Sequence, residues 1–151
     1  MFVLVGLIGC GLALLRGCHY ALTHFESGEG VPSVSWLPES APNVSYYKSY
    51  LNTAFEFDIS EAEFLRWSSW EVQPIKEPVG MLRYCYFTTS PPDYGPNPTQ
   101  AQEAELLAIY NSQRPKIDDG WYYGYRQSNG GGVWVAYDRS KGRAYFRSAP
   151  R

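Results

Sequence analysis

Three aromatic and β-branched runs near the C-terminus constrain this chain more than anything that precedes them. From Gly120 to Ser148 they read Gly-Trp-Tyr-Tyr-Gly-Tyr-Arg-Gln, Val-Trp-Val-Ala-Tyr-Asp-Arg and Arg-Ala-Tyr-Phe-Arg-Ser, parted by Ser-Asn-Gly-Gly-Gly and Ser-Lys-Gly. Runs of this kind with short glycine-bearing spacers predict consecutive hairpins, that is, a three-stranded antiparallel meander. Side chains alternate across a strand. Trp121, Tyr123 and Tyr125 therefore oppose Tyr122 and Arg126, and Val133, Val135 and Tyr137 oppose Trp134, Ala136 and Asp138. Ala144 and Phe146 oppose Arg143, Tyr145 and Arg147. One face is mostly apolar and the other mixed, the pattern of a sheet packed on one side and wet on the other.

Upstream, Val44–Asp58 predicts a hairpin broken at Asn52-Thr53, with Phe55 and Phe57 alternating with Glu56 and Asp58. Ser60 and Glu63 form a capping-box pair before a short helix carrying Phe64, Leu65, Trp67 and Trp70, which stops before Pro74. Val79–Thr88 reads as a strand, and the prolines at 91, 92, 96 and 98 as loop. Thr99 and Gln102 cap a second helix, whose apolar residues are Ala104, Leu106, Leu107, Ile109 and Tyr110. The expected fold is α+β: an antiparallel sheet of about five to six strands with both helices on one face, preceded by an N-terminal apolar helix.

That apolar segment runs from Phe2 to Leu15 and is followed by Arg16-Gly17-Cys18-His19. Its length suits the hydrophobic region of an export signal, and extension to Leu22 reaches spanning length with Arg16 snorkelling near one end. Gly6, Gly9 and Gly11 disfavour a soluble helix. Leu15-Arg16-Gly17-Cys18 resembles a lipoprotein processing site, which makes Cys18 the lipidation candidate; Cys10 has too little chain before it. Residues 1–22 are thus expected to be a signal or anchor and 23–43 a Gly, Pro, Ser and Glu-rich linker. A single domain, 44–151, then faces away from the cytoplasm.

Familiar chemistries find little footing. His19 and His24 with Cys18 fall short of a four-ligand zinc set, so no metal or other cofactor is expected. Cys85 lacks a neighbouring base and reads as a small hydrophobe. Asn129-Gly130-Gly131-Gly132 precedes a strand, whereas a phosphate cradle precedes a helix. Tyr137 and Lys141 have the Tyr-x-x-x-Lys spacing of some dehydrogenases without the dinucleotide fold that uses it. Glu56, Asp58, Asp118 and Asp119 are the acids from which a hydrolase would be built, but solvent-facing and helix-N-terminal charge accounts better for Glu56 and Asp58, and a turn role for Asp118 and Asp119. The C-terminal bases Arg139, Lys141, Arg143 and Arg147 read as a solvated sheet edge, and no nucleic-acid partner is expected.

The runs Glu56-Phe57-Asp58-Ile59-Ser60-Glu61, Asp119-Gly120-Trp121-Tyr122-Tyr123 and Val135-Ala136-Tyr137-Asp138-Arg139, with Arg143-Ala144-Tyr145, resemble those of a family of small uncharacterised bacterial envelope proteins. The resemblance spans about Val34 to the C-terminus. It implies a shared fold and an envelope location, and carries no activity or site residues. The expected function is a non-enzymatic, membrane-tethered or exported domain that binds another envelope protein or serves a structural role at the periplasmic face. The alternative is a carbohydrate or cell-wall module using exposed rings among Trp121, Tyr122, Tyr123, Trp134 and Tyr145.

Overall fold

The computed structural model describes residues 24–150. The anchor segment, the N-terminal apolar helix and the lipidation candidate Cys18 lie outside the described residues.

The meander forms as its alternation requires. Strands β7 (Gly120–Arg126), β8 (Gly132–Asp138) and β9 (Arg143–Ala149) pair antiparallel in continuous register, with Trp121 opposite Tyr137 and Tyr137 opposite Ala144. The N-terminal hairpin, β2 (Val44–Ser49) and β3 (Thr53–Asp58), joins it by pairing β3 with β9. Two further strands complete the edges. On one side, β1 (Phe25–Val31) pairs with β2; on the other, the two-residue β4 (Gln73–Pro74) pairs with β7. The result is a seven-stranded antiparallel sheet in the order β1-β2-β3-β9-β8-β7-β4, beside a two-stranded sheet of β5 (Val79–Gly80) and β6 (Lys116–Ile117). Both edges are blunted, β4 by its length and Pro74, β1 by a register shift between Gly28 and Val31.

The expected α+β fold with five to six strands is therefore corrected. The domain is mostly sheet, with three short helices among the described residues: α1 (Glu61–Trp67), α2 (Cys85–Thr88) and α3 (Gln100–Gln113). The helices do not share a face. On the first face α1 lays Phe64 on Tyr137 (5.0 Å between rings) and Trp67 on Phe57 (5.1 Å), while Phe55 stacks on Phe146 at 4.4 Å. The second face is not wet: Met81 and Ile117 close over Ala136 and Tyr145, all four buried. Helix α3 packs against neither face along its length. At about 100° per residue its apolar positions wrap well past half the helix, so they form no single stripe. Only Gln113 is buried; its amide donates to the Thr89 carbonyl at 3.1 Å, and Leu107 and Tyr110 remain exposed.

Two segments differ from their sequence reading for local reasons. Within 79–88 only Val79–Gly80 is extended, and Cys85 opens α2. Part of the expected 23–43 linker belongs to the domain, because β1 completes the sheet and Leu37 and Ala41 are buried against the first face. Trp36 packs edge-on against Phe55 at 5.0 Å.

The corner where α1 meets the sheet is electrostatic. Glu61 accepts from the Trp121 indole N–H at 2.6 Å and from Arg139 at 2.8 and 3.0 Å; Arg139 also pairs with Asp119. The Arg139 and Trp121 hydrogen bonds hold the Glu61 carboxyl down at about 2, below its ordinary 4.5. Gly120 begins β7 at φ 141°, and a β-carbon there would overlap the Tyr137 carbonyl oxygen. A carboxylate with a depressed folded pKa contributes stability that is whole above the unfolded value and is lost as pH falls through the folded one. The expected outcome is that Glu61→Gln flattens the stability–pH curve between about pH 4.5 and 2 and leaves its slope above pH 5 unchanged, as measured by urea unfolding across that range.

Candidate functional site

Period-two alternation sends the mixed side of the meander to the second face, where its residues line up across strands. One cross-strand row is Glu56, Tyr145, Ala136 and Tyr122; the next is Ala54, Arg147, Trp134 and Gly124. Gly124 leaves room for the Tyr122 ring to lie along its own strand, its Cζ 2.7 Å from where a β-carbon would stand. Gly132 does the same for Trp134, whose ring would meet a β-carbon at 2.9 Å. Two aromatic rings thus lie flat on the sheet, and the Arg147 guanidinium stacks on Trp134 with its carbon 4.6 Å from the ring centre.

A strap covers this floor. After β5 the chain runs through Met81 and Leu82 to Arg83, held by Met81 N–H to the Pro115 carbonyl (3.2 Å) and Arg83 N–H to the Gln113 carbonyl (3.0 Å). Arg83 then reaches Glu56, which is 1% exposed, donating from Nε at 2.8 Å and Nη2 at 2.5 Å. Arg143 donates to the same carboxylate at 3.1 Å and also pairs with Asp58. The Glu56 interaction drives the Arg83 pKa further upward. Between strap and floor is a cleft of about 310 Å³ lined by Gly80, Met81, Leu82, Arg114, Tyr122, Trp134 and Arg147.

The electrostatics of this cleft are unbalanced. Arg147 is half-buried and makes no hydrogen bond or ion pair among the described residues, and its Nε is shut off from solvent without an acceptor. The nearest acting cation is Arg114, whose Nη1 donates to the Tyr110 hydroxyl at 2.9 Å. Burial first, and then Arg114, push the Arg147 guanidinium downward; no carboxylate acts on it. A buried donor of this strength without an acceptor costs several times a hydrogen bond's net value. Arg114, turned toward Tyr110, and Arg147, stacked on Trp134, both line this cleft, and no acid is among its lining residues. Since guanidinium keeps its proton at any ordinary pH, the cleft can hold and orient an anionic group but cannot move a proton for it.

The ring residues expected to bind a ligand are divided by the sheet. Tyr122 and Trp134 line the cleft. Tyr145 is buried at 3% exposure beneath the strap, where burial pushes its hydroxyl up to about 12. Trp121 and Tyr123 are half-buried on the opposite face, Trp121 with its N–H committed to Glu61. The four acids form no open carboxylate pair: Glu56 is saturated by Arg83 and Arg143, Asp58 pairs with the same Arg143, Asp119 pairs with Arg139, and Asp118 is exposed in the turn before β7. Burial pushes the Cys85 thiol up, away from nucleophilic thiolate. Among the described residues no group of three metal-ligating side chains forms a site. The sequence reading placed Arg147 on the mixed face but missed it as a site residue.

Comparison with family models, with curated proteins and with solved structures returned no match.

If Glu56 holds the strap and Arg147 serves a ligand, the two charges differ in sign of effect. Glu56→Ala, which strands buried guanidinium, is expected to lower unfolding free energy by about 3–5 kcal/mol. Arg147→Met, which keeps the aliphatic stem and removes an unpaired charge, is expected to leave it unchanged or raise it by up to about 2 kcal/mol. Chemical denaturation of the two variants against the parent checks both, and a loss above about 1 kcal/mol for Arg147→Met speaks for a structural role instead.

Proposed function

We propose that this chain is a membrane-tethered, extracytoplasmic binding domain whose cleft takes a ligand bearing a carboxylate or phosphate group. The observation that carries the reading is Arg147, a stacked, half-buried guanidinium with a closed-off Nε and no acceptor, facing a cleft that Arg114 makes more positive. Trp134 and Tyr122 supply apolar faces beside the anion position, which favours a ligand with a flat or sugar-like body over a bare ion. Binding, not turnover, is the role these groups suit, because the cleft contains neither an activated nucleophile nor a base.

The tether rests on the sequence before His24, with its apolar run Phe2–Leu15 followed by Cys18. Among the described residues no helix is long and apolar enough to cross a membrane.

The test is thermal unfolding of the full chain in neutral detergent, titrated with inorganic phosphate and with glucuronate, against sodium chloride at matched ionic strength. Stabilisation that grows as RT ln(1 + [L]/Kd), reaching about 2.7 kcal/mol at a hundredfold excess over Kd, is expected for one or both anions and is expected to vanish in Arg147→Gln. Glucuronate acting at lower concentration than phosphate supports the sugar-like body. Equal response of parent and Arg147→Gln to every anion overturns the reading.

A further inference from the structure

The domain's strands begin and end at two chemically different edges. At one lie the Phe25 start of β1, the Tyr50-Leu51-Asn52 turn joining β2 to β3, the β7–β8 hairpin and the C-terminal end of β9. Phe25, Tyr50, Leu51 and Tyr125 are exposed there, Tyr50 at 70%. The turn is held by Ser49, whose N–H donates to the Asn52 carbonyl at 2.8 Å, so the side chains of Tyr50 and Leu51 are presented on a fixed support. Lys48 and Arg126 are exposed at the same edge, with Glu26 opposite Lys48. The acids Asp58, Glu61, Asp119 and Asp138 gather at the other edge.

The apolar edge continues sideways through stacked rings. Phe25 lies on Tyr47 at 5.4 Å, Tyr47 on Phe87 at 5.1 Å, and Phe87 meets Tyr86 edge-on at 5.2 Å. Beyond them Leu106, Ile109 and Tyr110 of α3 line a groove with Phe87 and Pro91. Contiguous apolar patches mark contact surfaces where scattered residues do not, and the rings from Phe25 to Tyr86 are contiguous.

What lies against them follows from where the chain goes. Because β1 begins at Phe25, the expected linker of 23–43 does not separate anchor from domain. Nine residues, Arg16 to His24, join the apolar run to β1. Fully extended they reach only about 30 Å, and if the anchor runs to Leu22 the two remaining residues reach about 7 Å. On the tethered reading proposed above, an anchor running to Leu22 holds the edge bearing Phe25 at the lipid surface, and one ending at Leu15 keeps it within about 30 Å. Tyrosine and aliphatic side chains flanked by cations are the groups that suit the boundary between headgroups and acyl chains; at this edge Lys48 and Arg126 stand against Glu26, whereas the acids of the far edge are paired with Arg143, Arg139 and Lys141.

We propose that the Phe25, Tyr50, Leu51 and Tyr125 edge is a membrane-contact surface, so that the domain sits upright on the bilayer with this edge in the interfacial layer. The test uses the full chain with Cys85 replaced by serine and one new cysteine, Leu51→Cys or Lys141→Cys, carrying an environment-sensitive NBD fluorophore. The protein is reconstituted into vesicles of 70% phosphatidylcholine and 30% phosphatidylglycerol and floated on a density gradient. Flotation, with blue-shifted NBD emission quenched by nitroxide lipids at position 51 and water-like, unquenched emission at position 141, is the expected result. The cysteines at 10 and 18 are retained, and the Cys85→Ser protein without a new cysteine, labelled in parallel, supplies the background that is subtracted. Flotation with position 51 as water-exposed as position 141 overturns the contact surface while leaving the tether standing. Failure to float overturns both. Tyr50→Glu with Leu51→Glu is expected to shift emission from a label at position 126 (Arg126→Cys) toward water without releasing the protein from the vesicles; no shift also counts against the proposal.

Discussion

Everything on the second face depends on one buried carboxylate. Glu56 stands in the middle of the sheet at 1% exposure, where an unpaired charge would be untenable. Arg143 reaches it from the neighbouring strand, but Arg83 comes from a segment 27 positions away in sequence and brings that segment with it. Desolvating such charges costs nearly as much as their attraction returns, so the pair adds little net stability over an apolar packing. Its consequence is positional. Arg83 fixes where the strap crosses the sheet, and the strap from Gly80 to Leu82 is the roof under which Arg147 and Trp134 face a cleft.

The two faces are built on opposite principles. On the first, aromatic rings from α1, β3, β8 and β9 interlock with geometries that bury them almost wholly, and polar groups are kept to the corner at Glu61. On the second, arginines stand among the apolar anchors, and most of the buried or half-buried ones have an acceptor. Arg83 and Arg143 share Glu56; Arg147, two residues further along β9 than Tyr145, has none. What Arg147 has instead is its stacking on Trp134, which leaves the buried Nε without an acceptor and makes that atom the one to explain on this face.

Alternation made the meander and the Phe55/Phe57 hairpin legible, because a strand with one apolar face announces its period in a few residues. Strand β1 was hidden for the opposite reason. Phe-Glu-Ser-Gly-Glu-Gly-Val has almost no side chain to bury, and its pairing is supplied by the β2 backbone. Helix α3 was legible from its Thr99–Gln102 capping box, yet its placement was not, since its apolar residues select no face. Glu56 read as a solvent-facing acid because strand alternation alone assumes one wet side; the strap that buries it begins more than 20 residues later. The cleft was half-legible. Tyr122 and Trp134 stood out as aromatic, but the lack of an acceptor for Arg147 belongs to no local pattern and exists only once every acid has been placed.

The short tether and the cleft bear on each other through the register. Arg147 lies two residues from the end of β9, at the same edge of the sheet as Phe25 and the Tyr50-Leu51 turn. At about 3.4 Å per residue, that sets the Arg147 backbone only about 7 Å from the strand ends. On an upright domain the cleft then opens sideways just above the headgroups and not toward bulk solvent. A ligand reaching it must be carried at the membrane surface or diffuse along it, and the positive cleft lies within one Debye length of any anionic lipid layer beneath. The same short distance argues against a large partner in the cleft, because the bilayer itself occupies half the approach. On that proposed placement, anchor, orientation and charge together favour a small or slender anion presented close to the lipid, a narrower choice than the cleft alone implies.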